Sequence, residues 1–248
     1  MRSLVLSDIH ANLAALEAVL RDAEGRHLDQ IWCLGDVVGY GPDPNQCVEC
    51  VRALEPIAVA GNHDLATLGK MSISEFNPDA QRACLWTSRE LNPEGESYLQ
   101  SLPAIMEMGD FTLVHGSPRE PIWEYILSPS IAQANFACFD TPFCVAGHTH
   151  APLVFVSRPA NGGETSRCEA IIPQSGTLIP LGEERLIANP GSVGQPRDGD
   201  PRASYLIVDT DEGTLEYRRV HYPIEETQRR MEAKGLPYRL ITRLSFGW

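Results

Sequence analysis

Five short apolar runs in this chain each stop at an aspartate, a histidine or an asparagine. Asp8 and His10 follow Leu4-Val5-Leu6, Asp36 follows Ile31-Trp32-Cys33-Leu34, and Asn62 with His63 follows Ile57 to Ala60. His115 comes after Phe111 to Val114, and His148 with His150 after Phe143 to Ala146. Short apolar runs suit buried strands, and the glycines beside most of these stops let a chain turn off a strand end. Such punctuation constrains the chain to a sheet whose strand ends carry polar groups to a common rim, where open α/β folds place ligands. Asp36, between Gly35 and Gly39, is the sharpest case, although Gly-Asp by itself is an ordinary turn dipeptide.

Five of the seven histidines fall in these positions. Any one of the residues could be a turn or a helix cap, but turns have no special need for histidine. A mixed imidazole, carboxylate and amide-oxygen set suits Mn²⁺, Fe or Zn²⁺, and no thiolate accompanies it. The seven cysteines are scattered, as expected of a reducing cytoplasm. Cys47 and Cys50 lie on one face of an expected helix and read as small core residues rather than a redox pair.

At 248 residues, with a hydrophobic fraction of 43%, the chain can bury one full core, and a single domain over 1–248 is the simplest reading. A net charge of −13 argues against binding long nucleic acid, which needs a basic stripe. It permits an anionic substrate, because bound metal ions invert the local field. The N-terminal run lacks the apolar length of a signal peptide, and no stretch is long enough for a membrane span. A cytoplasmic protein without a membrane partner is therefore expected.

The pattern predicts strands at 2–7, 31–34 and 57–60, alternating with a helix capped by Asn12 and a helix carrying Cys47. This is the β-α-β-α-β order of a mostly parallel sheet. Residues 65–105 read as a helical insertion, with helices over 78–91 and 94–102 opened by Asn77-Pro78 and Asn92-Pro93. Strands resume at 111–114, 143–146 and 153–156. A hairpin excursion is expected across 157–186, with a turn at Asn161-Gly162-Gly163. Residues 203–208 and 214–222 form a second hairpin, and imperfect alternation in its later strand suggests a bulge near Arg218. A helix over 225–234 and a short tail complete the 223–248 segment.

The motifs together resemble one family. Asp8-Ile9-His10, Gly35-Asp36-Val37-Val38-Gly39, Gly61-Asn62-His63-Asp64, Val114-His115-Gly116 and Gly147-His148-Thr149-His150 occur in the order found in calcineurin-like metallophosphoesterases. The chain is most similar to the small bacterial diadenosine-tetraphosphatase-like branch, with Asn189-Pro190-Gly191-Ser192 and Arg197 to Arg202 extending the match. The resemblance implies an α/β (α+β) fold, a four-layer αββα sandwich of two mixed sheets flanked by helices.

It also implies a two-metal site, with Mn, Fe, Zn or Ni as candidate ions. Asp8, His10 and His150 would hold one ion, Asn62, His115 and His148 the other, and Asp36 would bridge them. His63 would donate to a phosphoryl oxygen or protonate the leaving group, with Asp64 orienting it. The glycines would leave room for metals and phosphate to approach.

Asn12 fits either a phosphate contact or a helix cap. Arg197 fits either a bidentate phosphate ligand or a solvated loop charge. Tyr40 and Trp123 fit either base stacking or packing. The expected activity is hydrolysis of a phosphomonoester, a phosphodiester or a nucleotide polyphosphate. The alternatives are a short-oligonucleotide nuclease and a non-catalytic binding or scaffold protein, a use to which this fold is put in retromer. The full set of ligand types, with His63 present, favours catalysis.

Overall fold

The computed structural model describes residues 1–158 and 167–248. It opens with β1 (Arg2–Leu6), α1 (Leu13–Ala23), β2 (Gln30–Cys33), α2 (Pro44–Ala53) and β3 (Ile57–Ala58). Then come α3 (Asn62–Thr67), α4 (Pro78–Glu90), α5 (Pro93–Ser101), β4 (Ile105–Met108), β5 (Phe111–Val114), α6 (Pro129–Asn135) and β6 (Phe143–Ala146). The remainder is β7 (Pro152–Arg158), β8 (Arg167–Ile171), β9 (Leu178–Pro180), β10 (Arg185–Pro190), β11 (Ala203–Asp209), β12 (Thr214–Val220), α7 (Ile224–Ala233) and α8 (Tyr238–Arg243).

Two six-stranded sheets result, ordered β3-β2-β1-β11-β12-β9 and β4-β5-β6-β10-β7-β8. Both are mixed: β1 runs parallel to β2 but antiparallel to β11, and β6 is parallel to both β5 and β10, while β10 is antiparallel to β7. Strand alternation divides the side chains between layers. Val5, Trp32, Leu206 and Tyr217 meet Phe111, Leu113, Val145 and Leu186 between the sheets. Leu4, Leu6, Cys33, Tyr205 and Ile207 point the other way, onto the helices α1 and α2. Cys47 and Cys50 lie in that outer cluster, as small packing residues. On the far side, α6 packs Ala132 and nearby Phe136 against Val114, Cys144 and Ile187.

Four expectations need correction. The register between β11 and β12 runs unbroken from Ala203 opposite Val220 to Asp209 opposite Thr214, so there is no bulge at Arg218. The alternation looked imperfect because both faces of β12 are covered: Leu215 and Tyr217 face the inter-sheet core, while Val220 packs in the helix-side cluster. The tail after residue 234 contains α8, whose Leu240 joins Tyr40, Phe76 and Met231 in a further apolar cluster. The strand expected at 57–60 stops at Ala58, and the helix α3 begins at Asn62. Across 157–186, β7 pairs with β8, but β9 joins the other sheet; the expected turn at 161–163 lies outside the described residues.

Candidate metal centre

The ends of β1, β2 and β3 in one sheet, and of β5 and β6 in the other, meet along one rim. Asp8, His10, Asp36 and His150 form one cluster and Asp36, His115 and His148 another, with the facing donor atoms in each within 4.8 Å of one another. All six are at least 98% buried. Asn62 joins the second cluster, its Oδ1 3.0 Å from His115 Nε2.

The backbone is bent hard to bring these groups together. Among the described residues nine non-glycines have positive φ, and seven of them lie in or beside the clusters: Asp8, His10, Ala11, Asp36, Tyr40, His148 and His150. Each such residue costs about 1–3 kcal/mol and persists only where the surroundings enforce it. Glycines allow the loops to close on one another. A Cβ on Gly61 would collide with Asp36 Oδ1, and one on Gly39, whose φ is +92°, would lie 2.6 Å from His63 Nδ1. The glycines therefore make room for neighbouring loops, which corrects the expectation that they clear space for metals and phosphate.

Each aspartate and histidine of the two clusters uses one polar atom to hold its place and turns another inward. Asp36 Oδ1 accepts from the His63 amide at 2.8 Å, and Asp8 Oδ2 accepts from Ser7 Oγ at 2.6 Å and the His148 amide at 3.1 Å. Their other oxygens, Asp36 Oδ2 and Asp8 Oδ1, are buried without a hydrogen-bond partner. The imidazoles behave alike. His10 Nδ1 donates to Val38 O, His115 Nδ1 to Leu34 O, His150 Nδ1 to Gln195 O and His148 Nε2 to Trp123 O. A carbonyl oxygen only accepts, so these bonds fix the tautomers and aim the opposite ring nitrogens inward.

Those inward atoms crowd against one another. His10 Nε2 and His150 Nε2 stand 3.1 Å apart, and His115 Nε2 and His148 Nδ1 3.2 Å apart. His150 Nε2 is 3.2 Å from Asp8 Oδ1, while Asp36 Oδ2 is 3.5 Å from His10 Nε2 and 3.4 Å from His115 Nε2. Burial pushes His10, His148 and His150 well below the usual imidazole range, keeping them neutral with their lone pairs available. Burial opposes ionisation of Asp36, yet the imidazoles of His115, His63 and His10 hold it well below the usual carboxylate range. His115 moves the other way, up to about 9, because the Asp36 carboxylate outweighs burial. The donor set thus draws positive charge to the centre, and a divalent cation with nitrogen and oxygen ligands fits it.

His63 lies at the edge of the first cluster, its ring centroid 4.9 Å from that of His10 and 4.3 Å from that of Tyr40. Burial pushes it down to about 4, so it is neutral near pH 7. Its Nδ1 is 3.3 Å from Cys84 Sγ on α4, a contact with no counterpart in the sequence reading. Asp64 does not serve as its orienting group. The Asp64 carboxylate accepts from the Val38 amide at 3.1 Å and the Gly61 amide at 3.0 Å, tying the turn after β2 to the start of α3.

Asn12 does cap its helix. Its Oδ1 accepts from the Ala15 amide at 3.3 Å and Thr227 Oγ1 at 2.9 Å, and its Nδ2 donates to Gly194 O at 2.8 Å. The three bonds cap α1 and tie it to α7 and to the Gly194 loop, and they leave one Nδ2 hydrogen over.

Arg197 is half-buried beside the centre, donating to Tyr40 Oη at 3.3 Å and to Gln195 Oε1 at 3.0 Å. Tyr40 is packed against the rings of His10 and His63, and Trp123 stacks on Phe76 at 5.2 Å. The aromatic group at the mouth is instead Tyr125, 38% exposed and stacked on His148 at 3.8 Å. Nothing in the sequence around Tyr125 distinguishes it, because its role depends on the course of the 116–128 loop.

Residues 1–213 match the calcineurin-like phosphoesterase superfamily domain. An uncharacterized protein of Methanocaldococcus jannaschii is 40% identical over 248 residues, 98% of this chain and 97% of that protein. A symmetrical bis(5'-nucleosyl)-tetraphosphatase of Pectobacterium carotovorum is 31% identical over 118 residues, which is 46% of this chain and 42% of that enzyme. The crystal structure of a metallophosphoesterase from Sphaerobacter thermophilus superposes with a TM-score of 0.88 at 51% identity, covering 100% of this chain and 99% of that one. Sequence and fold agree across essentially the whole chain, and the chain belongs to the calcineurin-like phosphoesterase superfamily of metal-dependent phosphoester hydrolases.

Proposed function

We propose that this protein is a two-metal phosphoesterase acting on nucleotide polyphosphates. The observation that carries the reading is the pair of inward oxygens, Asp8 Oδ1 and Asp36 Oδ2, buried without partners among converging imidazoles. Asp8, His10 and His150 would hold one ion, Asn62, His115 and His148 the other, and Asp36 would serve both. A carboxylate has lone pairs enough to be shared, whereas an imidazole nitrogen serves one ion. When bound, such ions lower the pKa of a coordinated water and offset charge on the phosphoryl oxygens.

The chain's own residues supply the rest. His63, neutral and with Nδ1 engaged by Cys84, has Nε2 to donate toward a phosphoryl or leaving oxygen. Arg197 adds a planar cation beside the centre, suited to bidentate contact with a phosphate. Its bonds to Tyr40 and Gln195 hold the guanidinium in place before substrate arrives. The nucleotide polyphosphate class is favoured by the likeness to the tetraphosphatase, which spans under half of each chain, and by the stacked Tyr125 at the mouth.

The test is a substrate screen with Mn²⁺, Fe²⁺, Ni²⁺ and Zn²⁺ in turn, covering p-nitrophenyl phosphate, bis-p-nitrophenyl phosphate, ATP and diadenosine tetraphosphate. Metal-dependent turnover, fastest on the polyphosphates, is expected. Inactivity on every substrate with two ions bound per chain would overturn the reading and favour a binding protein.

A further inference from the structure

The helix α4 brings to the centre one group that the ligand set does not use. Cys84 lies midway along it, buried in the apolar cluster that holds Ala80, Ala83, Phe76 and Tyr40. Its Sγ is 3.3 Å from His63 Nδ1. Around the rest of the ring the Tyr40 and Phe76 rings stand 4.3 and 4.8 Å away, and a Cβ on Gly39 would lie 3.0 Å from His63 Cβ and Cγ. No carboxylate among the described residues bonds either ring nitrogen. Asp64 is taken up by the Val38 and Gly61 amides, and Asp36 Oδ1 bonds the His63 main chain. Among the described residues Nε2 has no hydrogen-bond partner, so it is the nitrogen left for a substrate.

A neutral imidazole carries one hydrogen, so one of its nitrogens donates and the other accepts. The contact with Cys84 therefore decides which nitrogen can donate to a substrate. Burial pushes the Cys84 thiol up to about 12, with the charge of Asp36 adding to the effect, so the sulfur keeps its hydrogen. Two arrangements are open, S–H to Nδ1 or Nδ1–H to sulfur. The first is favoured, because sulfur is a weak acceptor and a bare imidazole nitrogen a good one. In the second, Nε2 would be bare and could only accept, a poor match for the anionic oxygens of a phosphate.

We propose that Cys84 is a positioning residue, whose thiol donates to His63 Nδ1 and holds the ring's hydrogen on Nε2. A thiol in this place keeps the ring a neutral donor, whereas a carboxylate there would draw a hydrogen onto Nδ1. Only the consequence for turnover rests on the phosphoesterase reading. The bond itself does not.

The test is nitrogen-15 NMR of the full chain labelled at histidine, near neutral pH, metal-free and loaded with diamagnetic Zn²⁺. The His63 signals are those lost in His63→Gln. In the wild type Nε2 should carry the hydrogen, and Nδ1 should show the upfield shift of a hydrogen-bonded acceptor. In Cys84→Ala the Nδ1 signal should move toward that of a free acceptor, and in Cys84→Ser it should return most of the way. On a substrate found by the screen, Cys84→Ala should lower kcat about tenfold with KM unchanged, and Cys84→Ser should recover most of the loss. A packing role predicts the reverse order, since an apolar pocket suits alanine better than a buried hydroxyl. A hydrogen on Nδ1 in the wild type, or the same Nδ1 signal in wild type and Cys84→Ala, overturns the proposal. Circular dichroism shows whether each variant is folded, and the wild-type spectrum decides the direction of the bond if neither is. A moved Nδ1 signal with kcat unchanged overturns the part in turnover. A chain inactive on every substrate overturns the hydrolase reading, while the spectra still decide the bond.

Discussion

Asp36 gives one carboxylate oxygen to the His63 amide and turns the other, unpartnered, toward the imidazoles of both clusters. Asp36→Asn keeps the shape but removes the charge, so both metals should be lost together and turnover with them. Elemental analysis of the purified variant checks this, and retention of one full equivalent of metal would show that the carboxylate is not shared. His63 is different, because its ring lies beside the clusters and its contact is with Cys84. His63→Ala should therefore keep near-normal metal content while kcat falls by roughly 10²–10⁴, the usual worth of a positioned proton donor. Unchanged turnover would remove His63 from the chemistry. If the His63–Cys84 contact matters, Cys84→Ser should stay closer to wild type than Cys84→Ala, since a hydroxyl retains a donor toward Nδ1 and a methyl does not.

Most strands and the long helices were readable from sequence because burial writes itself into composition: Phe111 to Val114 and Phe143 to Ala146 are wholly buried and wholly strand-like, whereas β4 and β10 were not foreseen. Elements whose reason lies elsewhere in the fold were not. α3 spans only six residues and is set by Asp64, which bonds back to the Gly61 amide, so it shows no amphipathic stripe. α6 is similarly short, and its place is fixed by Asn135, whose side chain reaches Glu124 Oε2 at 2.8 Å across the preceding loop. The ligand types at the rim were legible as motifs, while Tyr125 and Cys84 were not, because no local pattern encodes which loop or helix will lie over a site.

Glu124 illustrates how such a loop is held. It accepts from Ser117 Oγ at 2.7 Å and from Asn135, and it pairs with Arg119, whose hydrogen bond holds its carboxyl down to about 2. A depressed carboxylate stabilises the fold above its unfolded pKa, and that contribution fades as pH falls from about 4.5 toward 2. Glu124→Gln should cost roughly 1–2 kcal/mol near pH 7, where charge-assisted bonds are lost, and less at pH 3. Denaturant melts at the two pH values check this; an equal loss at both would mean that the charge contributes nothing.

At the scale of the whole molecule, the centre is a junction between two sheets. Asp8, His10, Asp36 and Asn62 follow strands of the first sheet, whereas His115, His148 and His150 follow strands of the second. Ions bound there would tie one rim to the other, against seven strained residues and the repulsion between His10 Nε2 and His150 Nε2, both on neutral rings. Folding and metal binding should therefore be strongly coupled. A ligand at a thousand times its Kd adds ~4 kcal/mol per site. In a chain of this size each kcal/mol moves the melting temperature by ~2–4 °C. Stripping the metal should lower Tm by on the order of 10 °C, readable by scanning calorimetry before and after chelation, with recovery on adding Mn²⁺. Because Asp36 is the ligand candidate common to both clusters, Asp36→Asn should melt at one temperature with or without metal. A wild-type Tm that stays put when the metal is shown to be gone would mean that the sheets hold the rim closed unaided, and that the ions serve the chemistry alone.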